Sequence, residues 1–146
     1  MTSITVRPVE TRRQQKQFIN LANEIYAGDE MWCPPLLMDL KERAGFSKHP
    51  FHDINETQTF IALQDGKVVG RIQAIVNYGH NERYDQDLGF FGLFESINNQ
   101  DVANALFNKA RDWLAGHGMT AMRGPVNPGL NYEVGLLIDG WHSPPC

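Results

Sequence analysis

Apolar positions at the start of the chain change from alternation to a helical period. Residues 4–9 alternate between apolar and polar side chains, which predicts a strand. A helix is predicted from Thr11, a residue type suited to the N-cap, through Tyr26. Its apolar positions lie three and four residues apart on one face: Phe18, Leu21, Ala22 and Ile25. The chain therefore begins with a strand and an amphipathic helix that docks on another element.

Two runs rich in β-branched residues form the clearest pattern in the chain. They cover residues 57–63 and 67–76, and between them lie Asp65 and Gly66, a pair typical of two-residue hairpin turns. The pattern predicts an antiparallel hairpin.

The segment 28–55 that precedes this hairpin is predicted to be irregular because prolines interrupt it, with a short helix over residues 36–43. It is long enough to cover a cleft. The apolar cluster over residues 32–37, from Trp32 to Leu37, has two interpretations. Interior packing is preferred, and a pocket lining for an acyl chain or substrate is the alternative.

The second half of the chain continues with alternating element types. A polar loop is predicted over residues 77–87, and the run LGFFGLF at 88–94 predicts a buried strand whose adjacent phenylalanines face opposite sides of the sheet. Helical spacing follows over residues 100–115, and a short strand over 120–123. The order β, α, β, β, β, α, β predicts an α/β fold with a mixed sheet and a final parallel crossover, in one domain over residues 1–146.

Composition and charge narrow the classes of function. With 42% apolar and 21% charged residues, the 146-residue chain is expected to form a packed core. The net charge of -4 argues against nucleic acid as a partner, because neutralising phosphates requires a surplus of Lys and Arg. The sequence contains neither an apolar run of membrane-spanning length nor a signal-peptide core. A cytoplasmic protein without a membrane partner is therefore predicted.

Several stretches resemble the GNAT superfamily of N-acetyltransferases. NALFNKARDWLAGHGMTAMRGPV is similar to the helix and following strand of that fold, and TFIAL and KVVGRIQAIV are similar to the hairpin before them. More narrowly, WCPPLLMDL, KHPFHD, GFFGLFES and RGPVNPGLNYEVGLLIDGW resemble an uncharacterised bacterial group of longer GNAT-like proteins. The resemblance implies a GNAT-like acyl-CoA N-acyltransferase fold, with acetyl-CoA or another acyl-CoA as cofactor and a small-molecule amine as substrate.

The resemblance also implies that the cofactor's pyrophosphate lies at a turn opening a helix, where unpaired N–H groups and the helix dipole favour anions. The corresponding residues are this turn and the end of the strand before it: Leu93, Phe94, Asn98, Asn99, Gln100, Asp101, Val102 and Ala103. Within the turn only Ala103 fits the family's glycine-rich pattern. Asp101 is the main departure, since a carboxylate at a helix start competes with a bound phosphate.

Acyl transfer to an amine needs a general base near the nucleophile and hydrogen-bond donors around the reacting groups. Glu133 is the first candidate for the base, with a solvated loop carboxylate as the preferred alternative, and Glu95 is the second candidate. Asn127 and Asn131 are candidates for hydrogen bonds to the acceptor substrate, or else turn formers.

The HPFHD sequence at residues 49–53 places two histidines and an aspartate close together. No third distant ligand of clear identity accompanies them, so the segment is interpreted as a surface loop and no metal site is predicted.

Two hypotheses follow from the sequence. In the first, the chain belongs to an acyl-CoA-dependent N-acyltransferase that is complete only with further residues, and it is inactive alone. In the second, it is a non-catalytic GNAT-like scaffold that binds a partner or ligand, and the side chain of Asp101 or Asn98 fills the N–H groups of the turn.

GNAT folds continue beyond the last predicted strand, so the fold is expected to be incomplete at the C-terminus. The resulting strand edge and apolar surface predict low solubility or pairing as a homodimer.

Overall fold

The computed structural model describes residues 3–143, and a five-stranded sheet lies at its centre. The strands are Ile4–Pro8 (β1), Glu56–Gln64 (β2), Lys67–Val76 (β3), Leu88–Ser96 (β4) and Ala121–Arg123 (β5). They lie in the order β1-β2-β3-β4-β5, with β4 and β5 parallel and the other neighbours antiparallel. Two short strands, Val126–Asn127 (β6) and Glu133–Val134 (β7), form a separate antiparallel pair. The predicted α/β fold with a mixed sheet and a final parallel pair is confirmed.

Five helices accompany the sheet in the described part of the chain. They are Arg12–Ile25 (α1), Leu37–Arg43 (α2), Pro50–Ile54 (α3), Tyr78–Tyr84 (α4) and Gln100–Gly116 (α5). At the start of α1, the Thr11 hydroxyl accepts a hydrogen bond from the Gln14 N–H at 3.1 Å, and Gln14 Oε1 accepts one from the Thr11 N–H at 2.9 Å. This reciprocal cap fixes the helix start at the predicted residue.

The predicted β2–β3 hairpin is also confirmed. Asp65 and Gly66 have φ values of 53° and 76°, both in the left-handed region that a tight two-residue turn requires. The flanking residues Gln64 and Lys67 are paired across the turn.

The segment 77–87 contains α4 and is not a loop, so that prediction is wrong. The side chain of Asn77 caps the helix by accepting from the His80 N–H at 3.0 Å, and Asp85, with φ 52°, ends it. Polar composition does not distinguish a loop from a short exposed helix when a cap supplies the start.

The HPFHD sequence forms α3 and not a surface loop, which corrects a second prediction. His49 Nδ1 accepts from the Phe51 N–H at 3.2 Å, and a proline occupies the first turn. His52 lies 2.9 Å from the Glu42 carbonyl and 3.2 Å from the Thr57 hydroxyl, and burial lowers the pKa of His52. Both histidines therefore serve local structure. Among the described residues, no three His, Cys, Asp or Glu side chains are placed to hold a metal ion.

Helix α5 covers one face of the sheet, and α1, α2 and α3 cover the other. The core on the α5 side consists of Phe60, Ala62, Val69, Ile72, Ala74, Val76, Val102, Leu106, Ala110 and Leu114. The core on the α1 side consists of Phe18, Ile19, Leu21, Leu40, Ala44, Ile61, Val68 and Leu93. The Phe91 ring packs on Phe107 of α5 at 5.1 Å, whereas Phe90 belongs to the cluster of Phe51 in α3. Strand β4 is thus covered on both faces, as predicted.

Interior packing is the wrong interpretation for Leu36 and Leu37, which are 79% and 56% exposed. In helix α2 the buried residue is Leu40. Trp32 is half-buried, and its indole N–H donates to Asn23 Oδ1 at 3.0 Å.

A second exposed apolar stretch follows β6: Leu130, Tyr132, Val134, Leu136, Leu137, Ile138 and Trp141. Strand β5 is the outermost strand of the described sheet on that side. Pairing with a second copy stays a prediction. No helix within the described residues is long and apolar enough to cross a membrane.

Candidate functional site

A cleft of about 410 Å³ lies where β4 ends and α5 begins. Its walls come from the end of α1, the end of β4 and the first turn of α5: Ile25, Tyr26, Phe94, Ser96, Ile97, Asn98, Asn99, Gln100 and Ala103. The carboxyl end of a strand that leads into a helix is where open α/β sheets usually hold ligands. Among the residues that the structure describes, neither Lys nor Arg lines this cleft, so a bound anion would depend on backbone and amide N–H groups.

The eight residues predicted to bind the cofactor fall into three groups: two are buried in the core, one is exposed and five line the cleft. Leu93 and Val102 are buried in the cores on opposite faces of the sheet, so only their backbone groups can face a ligand. Asp101 is exposed in the first turn of α5. The other five predicted residues line the cleft: Phe94, Asn98, Asn99, Gln100 and Ala103.

Asn99 caps α5. Its Oδ1 accepts from the Asp101 N–H at 2.9 Å, which corrects the alternative that assigned capping to the side chain of Asp101 or Asn98. Within residues 3–143, the N–H groups of Gln100 and Val102 have no protein partner. The first turn of α5 therefore keeps two backbone donors available, and one exposed carboxylate beside them opposes an anion.

Strand β4 is irregular next to the cleft. Its register with β3 shifts, and Leu93 has φ 49°, a left-handed conformation that leucine rarely adopts. The Leu93 N–H donates to Asn127 Oδ1 at 2.7 Å. The carbonyl of Val126 packs so closely on Gly92 that a Cβ there would collide with it. Strand β6 thus occupies the side of β4 at this irregularity.

Asn127 and Glu133, predicted for substrate binding and for catalysis, are brought together. Asn127 Nδ2 donates to Glu133 Oε2 at 3.0 Å, and Arg43 Nη1 lies 2.9 Å from the same oxygen. Burial raises the pKa of Glu133, but the hydrogen bonds from Asn127 and Arg43 and the charge of Arg43 outweigh it and hold this pKa below its ordinary value. A carboxylate stabilised in its ionised form is a weak base. Asn131 is exposed and lies outside this network.

Glu95 lies in a different setting, beside the cleft. The Tyr26 hydroxyl donates to Glu95 Oε2 at 2.7 Å. Burial, together with this hydrogen bond and the charge of Glu95, raises the pKa of Tyr26 to about 12. The phenol is therefore protonated at neutral pH and acts as a donor to the carboxylate.

Arg71 is directly opposite Glu95 on β3 and is only 5% exposed. Its Nε donates to the Leu93 carbonyl and its Nη1 to the Phe18 carbonyl, both at 2.9 Å. Burial lowers the pKa of Arg71 to about 10, and the charge of Glu95 opposes that shift. The guanidinium is still charged at neutral pH, so a buried positive charge faces Glu95 across the two strands.

Sequence reasoning misses both Tyr26 and Arg71. Arg71 carries a signal, since it interrupts the apolar strand KVVGRIQAIV and a buried charge requires partners. Tyr26 carries none, because only the packing of α1 brings it to Glu95, which lies 69 positions away in sequence.

Several solved structures share this architecture. The aminoglycoside N-acetyltransferase AAC(6')-Iy in complex with CoA superimposes with a TM-score of 0.60 at 16% identity, covering 88% of this chain and 80% of that one. A tandem GNAT protein from the clavulanic acid biosynthesis pathway gives 0.61 at 14% identity, covering 82% and 35%. FeeM, an N-acyl amino acid synthase from uncultured soil microbes, gives 0.54 at 12% identity, covering 82% and 68%. The chain has the GNAT fold.

Two other proteins are more similar to this chain in sequence than these solved structures are. Protein YghO of Escherichia coli K12 is 37% identical over 141 residues, and a bacterial ceramide synthase of Caulobacter vibrioides is 37% identical over 143 residues. Each alignment covers 97% of this chain but 36% and 37% of those proteins, so the chain spans about a third of their length. No protein-family model matches the chain.

Proposed function

We propose that this chain is part of an N-acyltransferase that transfers an acyl group from an acyl-CoA to a primary amine. The observation that carries the proposal is the cleft between β4 and α5, which combines unpaired backbone N–H groups with an adjacent phenol and carboxylate. The GNAT fold supports it, since solved neighbours of that fold include enzymes named as acetyltransferases.

The residues at the start of α5 fit a pyrophosphate. Gln100 and Val102 offer backbone N–H groups, and the small side chain of Ala103 leaves room beside them. Asp101 opposes the negative charge and weakens the site without closing it, because its carboxylate is exposed to solvent. When bound there, an acyl-CoA supplies a thioester carbonyl that an amine can attack.

Glu95 is the better of the two candidate bases. It has a phenol as hydrogen-bond partner and lies next to the cleft, whereas Glu133 is ion-paired with Arg43. A base must gain a proton during the reaction, and the direct contact of Glu133 with Arg43 opposes that gain. Arg71, by contrast, forms no salt bridge with Glu95 among the described residues. In this proposal Glu133 instead fixes Asn127, which in turn holds the Leu93 N–H of β4.

The acceptor that we propose is a long-chain amino alcohol. Its support is the 37% identity to a protein named as a bacterial ceramide synthase, because a ceramide is the N-acyl derivative of such an amine. Exposed apolar side chains that follow the cleft residue Tyr26 in sequence also support this acceptor. The Trp32 ring stacks on Tyr26 of the cleft at 4.7 Å, and the exposed Leu36 and Leu37 follow shortly after it in the chain. An alkyl chain would remove these leucines from water.

The test is amide formation by the protein at its natural full length, detected by mass spectrometry. Acyl-CoAs of several chain lengths are paired with a long-chain amino alcohol or with a polar aminoglycoside. We expect an amide with the long-chain amine. An amide with the aminoglycoside alone would reject the proposed acceptor, and no amide with any pair would reject the acyltransferase.

A non-catalytic scaffold is the second candidate, and one observation favours it. The side of β4 at Gly92 and Leu93 is covered by β6, and the Leu93 N–H is already bonded to Asn127. A scaffold of this kind would show neither amide formation nor saturable binding of CoA.

A further inference from the structure

Tyr26, and not Glu95, is the member of their pair that lines the cleft. Its hydroxyl is 2.7 Å from Glu95 Oε2. Its ring stacks on Trp32 at 4.7 Å, and Trp32 is fixed in turn by the hydrogen bond of its indole N–H to Asn23 at 3.0 Å. Tyr26 therefore lines the cleft and also holds the carboxylate through its hydroxyl.

The carboxylate behind this hydroxyl faces a buried positive charge. Arg71 gives its hydrogen bonds to main-chain carbonyls, including those of Leu93 and Phe18, and forms no salt bridge among the described residues. Its charge is compensated across the β3–β4 pair by Glu95, its direct neighbour in register. The tyrosine thus joins the cleft to a carboxylate that has an electrostatic partner.

We propose that Tyr26 is a catalytic residue that relays a proton from the attacking amine to Glu95. The inference rests on the proposed function. The amine nitrogen attacks the thioester carbonyl carbon and forms the C–N bond, and the C–S bond breaks with its electron pair leaving on sulfur. One proton moves from nitrogen to the Tyr26 oxygen while the Tyr26 proton moves to Glu95 Oε2. Glu95 then releases that proton to solvent, from which the thiolate takes one, so the step leaves an amide, a thiol and an unchanged enzyme.

A relay needs a phenol that can donate and accept at once. Burial and the bond to Glu95 raise the pKa of Tyr26 to about 12, so its proton is present throughout the neutral range. One lone pair of the oxygen then remains for a proton arriving from the cleft. A free tyrosinate would not be needed, because the two transfers are coupled.

The central test replaces Tyr26 by phenylalanine in the protein at its natural full length. Tyr26→Phe keeps the ring that stacks on Trp32 and removes only the hydroxyl. We expect kcat for amide formation to fall about 100-fold, the size of a lost acid–base group. Binding of CoA, measured by calorimetry, should change by less than about twofold, since only transition-state stabilisation is lost. Tyr84→Phe, on the exposed helix α4, is the matched control and should leave kcat unchanged.

A second variant separates a relay from a purely structural tyrosine. Glu95→Gln should lower kcat by a similar factor, and the double variant should be no slower than about twofold below either single one, because members of one relay act as a unit. If Glu95→Gln does not fold, the Tyr26→Phe result alone decides.

Two outcomes overturn the relay while leaving the acyltransferase intact. One is a Tyr26→Phe kcat within about twofold of the wild type. The other is a double variant whose loss is the product of the single losses. A wild-type protein that forms no amide rejects the proposed function, and the relay falls with it.

Discussion

Glu95 and Glu133 are both carboxylates close to the irregular part of β4, yet different groups hold them. Glu133 accepts from Asn127 and lies 2.9 Å from Arg43, whereas Glu95 accepts from the Tyr26 phenol at 2.7 Å. Arg43 stabilises the charge of Glu133 directly and opposes its protonation. Glu95 forms no salt bridge among the described residues, and its phenol partner lines the cleft. The group that directly contacts a carboxylate, more than the position of that carboxylate in a loop, therefore decides whether it can serve as a base.

The two regions also differ in whether they border a cleft. The Glu95 region borders a cleft of about 410 Å³, and the Glu133 region closes over β4 through β6. One is arranged to receive a ligand and the other to hold a segment in place.

The largest effect is expected from removing Arg71, which faces Glu95 across β3 and β4. Arg71→Met leaves the carbonyls of Leu93 and Phe18 without their donor and Glu95 without its opposite charge. A buried acceptor left without its donor costs about 1–3 kcal/mol, so for two carbonyls we expect the free energy of unfolding measured in urea to fall by about 2–6 kcal/mol. The exposed Arg111→Met is the control and should change it by less than about 0.5 kcal/mol. Equal small changes in both variants would show that Arg71 is not a structural charge.

The next largest effect is expected on turnover. Glu95→Gln should lower kcat about 100-fold, as expected for a lost general base, whereas Glu133→Gln should lower it less than about tenfold. Both variants remove one charge and keep the size of the side chain, so each controls for the other. A larger loss for Glu133→Gln would reverse the assignment of the base.

A smaller effect is expected at the start of α5. Asp101→Asn removes the exposed carboxylate beside the Gln100 and Val102 N–H groups and should tighten CoA binding about two- to fivefold, in line with charge effects of about 0.3–1 kcal/mol at helix ends. The gain should shrink at high salt. Asp112→Asn, further along the same helix, serves as the control in the same calorimetric titration. Equal affinities for wild type and Asp101→Asn at low salt would argue against a phosphate at this turn.

The smallest effect concerns the pH dependence of stability. The pKa of Glu133 is lower in the folded chain than its ordinary value of 4.5. Its contribution to stability is therefore fully present above about pH 4.5 and is lost as the pH falls through the lowered folded-state value. Thermal unfolding of wild type and Glu133→Gln should differ at pH 7 and converge in acid. A difference that grows in acid would contradict the ion pair.

Local patterns in the sequence predict much of the fold. The helix after Thr11, the hairpin at Asp65 and the strand 88–94 each have a cap, a turn pair or an apolar run that decides them locally. Helices α3 and α4 are not predicted from the sequence, because each begins at a single capping side chain, His49 or Asn77, without a helical apolar pattern.

The candidate site is less predictable than the fold. The β4–α5 turn can be placed by order of elements, and five of its predicted residues line the cleft. Its cap on Asn99 and the contact of Tyr26 with Glu95 depend on side-chain placement and on the docking of α1. Partners distant in sequence leave no local pattern, so the phenol and the buried Arg71 emerge only from the structure.

Calorimetric titration of the folded chain with CoA tests whether the cleft between β4 and α5 binds an acyl-CoA. Ala103→Trp fills the cleft from the first turn of α5, and Ala115→Trp adds the same ring at the exposed end of that helix. We predict saturable binding to the wild type and to Ala115→Trp, and none to Ala103→Trp. A folded wild type that does not bind CoA, or an Ala103→Trp variant that binds it equally well, would contradict the assignment of this cleft to an acyl-CoA.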